Sequence, residues 1–411
     1  MLTVGTLTLV TSVTGSYAVG GTAAGAVGIG SAIGAPVLGA LADRRGQRPV
    51  LLVAAILNAL AVLALLAAAY GMPAAGAFPS AVLAAAFISG ASCPQVGPLA
   101  RVRWMALTSR GSQAANSRDL DTALSYESTA DELTFVLGPA LVGTLASLVA
   151  PWLPLALAAA LTITLVPAFA VHRTHRAVPT YRAVPTYRAV PTYDAVPASR
   201  AIPARGVASP GRSAAPKLSV AVAAPVLAMV CMGTFFGATQ TALSSFSAGF
   251  ASSEIAGLLY AVMGLSSAAA ALSVAYWPQR FTLSARWLLS GALMAALASL
   301  LLVPQSAGSM VLVLLVLGIS VGPVMVTVFA VGGLFAPAGR LGTVMTALAS
   351  GIVAGTAVGA AAAGQLAEVH GHTAAFMVPV AAAAVLVLLG GASAVVFGRR
   401  RALQRAGGGQ V

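Results

Sequence analysis

The sequence predicts an all-α integral membrane protein with twelve transmembrane helices in two six-helix, pseudo-symmetric halves. Two observations support this fold class. The 411 residues are 59% hydrophobic and only 8% charged, with a mean hydropathy of +0.93, whereas about 25% of the residues of a soluble protein are charged. The apolar residues also form runs of about 20 residues, the length at which a helix crosses a hydrocarbon core about 30 Å thick.

Charged and turn residues divide the chain into twelve apolar segments. A polar stretch separates the first six from the last six, so the predicted domains are an N-terminal half (1–171), a cytoplasmic linker (172–217), a C-terminal half (218–398) and a cytoplasmic tail (399–411). The predicted spans are 1–17, 20–42, 49–70, 78–100, 122–150, 152–171, 218–246, 255–276, 287–303, 310–335, 341–366 and 373–397.

The first segment is short, because an apolar run opens directly at Met1 and reaches only to Tyr17. We expect its helix to be truncated at the start. A secretory signal peptide is the competing interpretation, but no basic residues precede the run, and it leads straight into another span.

The basic residues indicate the orientation, since short loops rich in Arg and Lys stay in the cytoplasm. All of them follow even-numbered segments, and the loops after odd-numbered segments contain none. Both termini are therefore predicted to be cytoplasmic, and the net charge of +13 reflects topology rather than nucleic-acid binding. The basic residues after segments two and four are Arg44, Arg45, Arg48, Arg101, Arg103, Arg110 and Arg118.

We expect a bacterial source, because Lys217 is the only lysine among 22 basic residues, a bias typical of GC-rich bacterial genomes. For a multi-pass chain this implies the cytoplasmic (inner) membrane. Cys93 and Cys231 lie inside apolar runs, which argues against a disulfide framework or a zinc site. The four histidines lie at loops, away from intramembrane acids, and no phosphate-binding Gly-x-x-x-x-Gly-Lys-Ser/Thr motif is present. We therefore expect neither an enzyme nor a cofactor, a metal or direct coupling to ATP.

The linker contains a hexad, Arg-Ala-Val-Pro-Thr-Tyr, whose copies start at Arg176, Arg182 and Arg188. Proline at every sixth residue prevents a helix and favours an extended chain. The hexads are interpreted as a spacer between the halves, and a docking stripe or a contact with anionic lipid is the alternative.

The loop after the second segment resembles the signature loop of the major facilitator superfamily, Gly-x-x-x-Asp-Arg-x-Gly-Arg-Arg/Lys. Gln47 departs from this pattern, where a basic residue is usual. The resemblance covers nearly the whole chain, because the six-plus-six layout also agrees. It implies a gating motif formed by Gly39, Asp43, Arg44, Gly46 and Arg48.

Two of these residues have a physical role that can be argued without the family resemblance. Gly39 permits the close approach of another helix, and Asp43 can offer its charge to a helix N-terminus. Anchoring by positive charge explains the arginines but not an acid among them. The equivalent loop of the second half keeps Arg280 and Arg286 without an acid, so we expect the first half to build most of the gate.

The fifth segment resembles the helix of family antiporters that carries a Gly-Pro motif, here Gly138, Pro139 and Gly143, with Thr134 in place of a preceding glycine. The resemblance implies export. The simpler explanation of these residues is that Gly and Pro are frequent in membrane helices in general. An arginine in the middle of segment four, another antiporter feature, is missing from 87–96.

Three acids of the fifth segment, Glu127, Asp131 and Glu132, are the candidates for proton coupling, because intramembrane acids are the usual proton carriers of transporters. A solvated helix end is the alternative, since counting from Ala150 places Asp131 about 28 Å from the outer end. Asp131 shares a helical face with Glu127, and this face is predicted to point toward the cavity.

The seventh segment carries polar and aromatic residues, and the resemblance implies that Phe236, Gln240 and Thr241 are substrate-cavity contacts. Interhelical hydrogen bonding is the alternative explanation. The preferred function is proton-coupled export of a small organic molecule by a monomer in the lipid bilayer. An uptake permease or facilitator of the same fold, or a membrane receptor or scaffold that transports nothing, are the alternatives.

Overall fold

The computed structural model describes residues 2–71, 79–109, 113–178, 220–248, 254–278 and 280–407. The described part of the chain is almost entirely helical and contains no strand, which confirms the all-α membrane architecture. The helices are α1 (Leu2–Thr14), α2 (Tyr17–Arg45), α3 (Gln47–Tyr70), α4 (Ser80–Ala91), α5 (Val96–Thr108), α6 (Gln113–Leu148), α7 (Leu153–Val171), α8 (Val220–Ala248), α9 (Glu254–Ser273), α10 (Leu283–Ser299), α11 (Ala307–Phe335) and α12 (Leu341–Gly407).

Ten helical stretches among the described residues are long and apolar enough to cross a membrane. One of them, Leu341–Ala394, has 54 residues and would measure about 80 Å if straight, far more than a bilayer needs. Gly371 interrupts it with φ 81° and ψ 178°, so its two parts match predicted segments eleven and twelve. The 13 residues of α1 reach only about 20 Å, so the count of twelve depends on this short helix.

The fourth span is longer than predicted. It runs from Ser80 to Thr108, with a break at residues 92–95 between α4 and α5. Arg101 and Arg103, expected in a cytoplasmic loop, lie instead inside α5 and are only 1% and 3% exposed. The expectation was wrong because a charge was taken to end the span, whereas each guanidinium group is held inside the bundle by a partner on another helix, Asp131 for Arg101 and Gln47 for Arg103.

Glycine allows the closest helix contacts, as expected in lipid, where association depends on tight packing rather than on a hydrophobic driving force. The crossing of α8 and α12 is reciprocal. A Cβ at Gly237 would lie 2.8 Å from the Thr356 carbonyl carbon, and a Cβ at Gly359 would lie 2.8 Å from the Thr234 carbonyl carbon. These backbones can touch only because side chains are absent from both faces.

The two halves meet at one end of the bundle, which we call the arginine-rich end because Arg44, Arg45 and Arg48 lie there. The largest buried cluster combines residues of both halves, and its first-half members, such as Ala42 and Leu99, lie near this end. The buried cluster at the opposite end contains first-half residues alone. The bundle is therefore closed at the arginine-rich end, and the halves diverge toward the other end.

Candidate gate and coupling site

Asp43, at the last turn of α2, caps the N-terminus of α12 in the other half. The Gly342 amide donates to Oδ1 at 2.8 Å, and the Thr343 amide and hydroxyl both donate to Oδ2 at 2.7 Å. A carboxylate here satisfies free N–H groups of the helix and meets the positive end of its dipole. One side chain of the first half thus holds the first turn of a helix in the second.

Gly39, one turn before Asp43, allows this contact. A Cβ at Gly39 would collide with the Thr346 hydroxyl and approach the Gly342 carbonyl oxygen to 2.6 Å. Gly46 makes the turn between α2 and α3 with φ 89°, a conformation that favours glycine. The remaining residues of the motif, Arg44 and Arg48, are solvent-exposed.

Gln47 and Arg103 explain the departure from the signature pattern. The Arg103 Nε donates to Gln47 Oε1 at 2.7 Å, and Gln47 Nε2 donates to the Leu99 carbonyl at 3.2 Å. The guanidinium also donates to the Phe169 carbonyl at 2.7 Å and lies 3.7 Å from the centre of that ring. A basic residue at position 47 would place a second cation against Arg103, so a neutral acceptor suits this site better.

A second contact joins the halves at the arginine-rich end. Arg286, at the start of α10, is 2% exposed, and its Nη1 lies 2.9 Å from Asp121 Oδ2 on α6. The expectation that the first half builds most of the gate stays a prediction, and this contact adds a cation from the second half. The acid comes from the first half and the cation from the second, and Asp121 escaped notice because nothing in the sequence pairs it with Arg286.

The three acids proposed for proton coupling separate onto two faces of α6. Asp131 is 31% exposed and accepts a hydrogen bond from Arg101 Nη2 at 2.6 Å. The Arg101 guanidinium lies 3.9 Å from the centre of the Phe329 ring, which belongs to the second half. Glu127, on the same face as Asp131, accepts from Trp104 Nε1 at 2.9 Å. This face contacts α5 through Arg101 and Trp104, and its direction toward a central cavity stays a prediction.

Glu132 lies on the other face of α6, against the second half. Its side chain is 2% exposed, and Ser267 Oγ of α9 donates to its Oε1 at 2.9 Å. No described cation lies within ion-pair distance of this carboxyl group. The span extends from Arg118 to Leu148, so Glu132 lies about 21 Å from one end and about 24 Å from the other. Glu132 is thus buried near the middle of this helical stretch and is not solvated at a helix end.

The Gly-Pro motif lies in the C-terminal part of α6. Gly138 is buried and Pro139 is half-buried. No described heavy atom lies within 4 Å of a Cβ built at Gly143, so the tight packing expected from the motif is not made at Gly143 in this arrangement.

The substrate-contact candidates on α8 differ in accessibility. Gln240 is exposed and Thr241 half-buried. Phe236 is 3% exposed and stacks edge-on against Phe235 at 5.9 Å. Phe236 therefore contributes to helix packing here and presents almost no surface to a substrate.

A cavity of about 500 Å³ opens beside the Asp43 contact. Its wall includes Asp43 and Met105 from the first half and Pro337 and Leu341 from the second, and Val178 from the start of the linker completes it. Both halves therefore shape this cavity.

Comparison with known proteins agrees with this architecture. Residues 1–351 match the family model of the Major Facilitator Superfamily. No curated protein sequence matches the chain. The structure is similar to that of the human organic anion transporter MFSD10 (TETRAN), with a TM-score of 0.65 and 20% identity over 94% of this chain and 89% of that one.

Two bacterial structures are also similar. A bacterial homologue of the iron transporter ferroportin, in an outward-facing state, gives a TM-score of 0.63 and 16% identity over 96% of this chain and 98% of that one. The E. coli fucose:proton symporter FucP gives a TM-score of 0.59 and 14% identity over 95% of this chain and 97% of that one. At such identities the likeness shows the fold alone. Together with the family match over most of its length, it establishes that this chain belongs to the major facilitator superfamily and is a transporter rather than an enzyme.

Proposed function

We propose that this protein exports a small organic molecule from the bacterial cytoplasm in exchange for protons. It works as a monomer in the inner membrane, with both termini in the cytoplasm. The arginine-rich end is then the cytoplasmic end, and the closed arrangement faces outward. The observation that carries the proposal is Glu132, a carboxyl group buried in mid-span at the contact between the two halves.

The surroundings of Glu132 favour a proton on its carboxyl group in the outward-facing state. A charged carboxylate away from water is costly unless a cation or several hydrogen-bond donors compensate it. Among the described residues, the Ser267 hydroxyl donates to Glu132. Asp131 differs, because Arg101 is bound to it at 2.6 Å. Of the two acids, we assign proton binding to Glu132 and a structural ion pair to Asp131.

Rocking of the halves would then couple the proton to transport. Opening the cytoplasmic end must part α6 from α9, because Glu132 and Ser267 belong to different halves. Glu132 then meets cytoplasmic water and releases its proton. The substrate binds to this cytoplasm-open, deprotonated state. Closure with substrate bound returns the transporter to the outward-facing state, where the substrate leaves and Glu132 takes up a proton from the outer side, since burial disfavours its charged form.

The direction of transport rests on the Gly-Pro motif of α6, which resembles that of family antiporters. An uptake permease or facilitator uses the same fold, as the fucose:proton symporter among the similar structures illustrates. A receptor or scaffold that transports nothing would produce no gradient-dependent flux.

A substrate is first sought by growth-inhibition screening of amphipathic compounds in a strain without its own exporters. The strongest hit is then measured in proteoliposomes under an imposed pH gradient. We expect Glu132→Gln to abolish gradient-driven transport, because a neutral amide cannot carry a proton. Glu127→Gln is the matched control on the same helix and should remain active. Full gradient-driven transport by Glu132→Gln would refute the assignment, and inward flux driven by the gradient would select the uptake alternative.

A further inference from the structure

Four polar residues of α6 line up between the arginine-rich end and the proposed proton site. Asp121, Ser125, Ser128 and Glu132 follow one another at helical spacings, so all four share one face. Every one of them is buried. The face extends about 16 Å along the helix axis, from the ion pair with Arg286 to the middle of the span.

The second half covers this face at both ends. Asp121 binds Arg286 and Glu132 accepts from Ser267. Between them, the Thr129 hydroxyl donates to the Ala268 carbonyl at 3.1 Å. The face is therefore part of the contact that must separate when the transporter opens to the cytoplasm.

The hydroxyl groups of the two serines make no hydrogen bond to a described residue in the closed arrangement. Ser125 and Ser128 are both 0% exposed. Buried hydroxyl groups are nearly always bonded to protein or water. Alanine would pack equally well here without this cost, so the hydroxyls point to a state in which the face is wet.

We infer that this face of α6 lines a water-filled passage that leads from the cytoplasm to Glu132 once the Asp121–Arg286 ion pair separates. Its ligand is water, which solvates Ser125 and Ser128 and accepts the proton when the O–H bond of Glu132 breaks. The proton step rests on the function proposed above, whereas the wetting of the face does not. Arg286 and Asp121 lie at the mouth of the passage.

Cysteine accessibility tests the passage without a substrate or a proton gradient. Ser125→Cys and Ser128→Cys are made in a Cys93→Ala/Cys231→Ala background. Inside-out vesicles then receive a membrane-impermeant, positively charged methanethiosulfonate reagent, and unreacted thiols are counted by their mass shift with a maleimide polymer. The same measurements are repeated with Arg286→Gln. Tyr126→Cys, at a position 61% exposed on another face of the helix, is the matched control.

We expect Arg286→Gln to accelerate labelling of both serine positions about tenfold, since loss of the ion pair shifts the population toward the open state, with no change at Tyr126→Cys. Unchanged rates at both serines, or an equal increase at Tyr126→Cys, would overturn the inference. Asp121→Asn breaks the same ion pair and must give the same pattern if Arg286→Gln is poorly inserted. If labelling follows the expectation while Glu132→Gln still transports protons, the passage stands and the coupling assignment fails.

Discussion

Asp43→Asn is expected to open the arginine-rich end of the transporter. The substitution keeps the size of the side chain but replaces one accepting oxygen by an NH₂ group and removes the charge. At least one of the amide contacts, from Gly342 or Thr343 at 2.8 and 2.7 Å, is therefore lost. A hydrogen bond to a charged group contributes about 1.5–3 kcal/mol, and a partly buried charge at a helix terminus contributes up to about 2 kcal/mol.

Because these two contributions overlap, we take about 2–3 kcal/mol as the loss from the closed state. This corresponds to a shift of about 30- to 150-fold in the equilibrium between closed and open arrangements. Asp43→Asn should also reduce transport while leaving membrane insertion intact, since the positively charged anchors of the loop remain.

Distances between spin labels measure this shift directly. Labels at Arg45→Cys on α2 and Ala338→Cys before α12, both at exposed positions, report the separation of the halves in a background without Cys93 and Cys231. The parent protein should give a narrow distribution of spin-label distances centred at a short distance. Asp43→Asn should add a second population at a longer distance. Asp119→Asn, which alters an exposed acid of α6, serves as the control. A distribution for Asp43→Asn that matches the parent would refute the gating argument and leave only a topological role for the loop.

Three further outcomes follow from the structure. Gln47→Arg, which restores the basic residue usual in the signature loop, should destabilise the protein by about 1–3 kcal/mol, because it removes an acceptor from buried Arg103, and thermal unfolding of the purified protein measures this. Gly39→Ala should disfavour the closed state through its clash with Thr346, seen as a longer spin-label distance, and Thr346→Ala in the same chain should partly restore the parent distance. Deleting residues 182–193 should leave transport and abundance nearly unchanged, because loop-closure cost varies slowly with length.

The two substitutions have matched controls, and the deletion has an outcome that would contradict the spacer interpretation. Gln47→Glu keeps an acceptor for Arg103 and should be tolerated far better than Gln47→Arg, and equal stability of the two variants would contradict the argument. Gly25→Ala adds a Cβ on the same helix where no described atom lies within 4 Å, and it should leave the distance unchanged. Loss of transport at normal abundance after the linker deletion would favour the docking interpretation of the hexads.

The sequence alone determined the membrane setting, the helical class and the two-half layout. These properties depend on how often apolar residues occur and where charges interrupt them, and a bilayer imposes that pattern on any chain that spans it. The sequence also drew attention to Asp43 and Gly39, because an acid and a glycine in a basic loop need a reason beyond charge anchoring. Where it failed, as with Arg101 and Arg103, it took the first basic residue after an apolar run as the end of the span.

Only the tertiary structure decided which charges are partners. Asp121 and Arg286 are 165 positions apart, and Glu132 and Ser267 are 135 apart, so no local spacing connects them. The neighbouring acids Asp131 and Glu132 look equivalent in the sequence, yet helix geometry turns one toward Arg101 and the other toward the second half. The physical reason is that burial and pairing of a charge depend on how helices from distant parts of the chain pack, and that arrangement leaves no mark in the periodicity of any single helix.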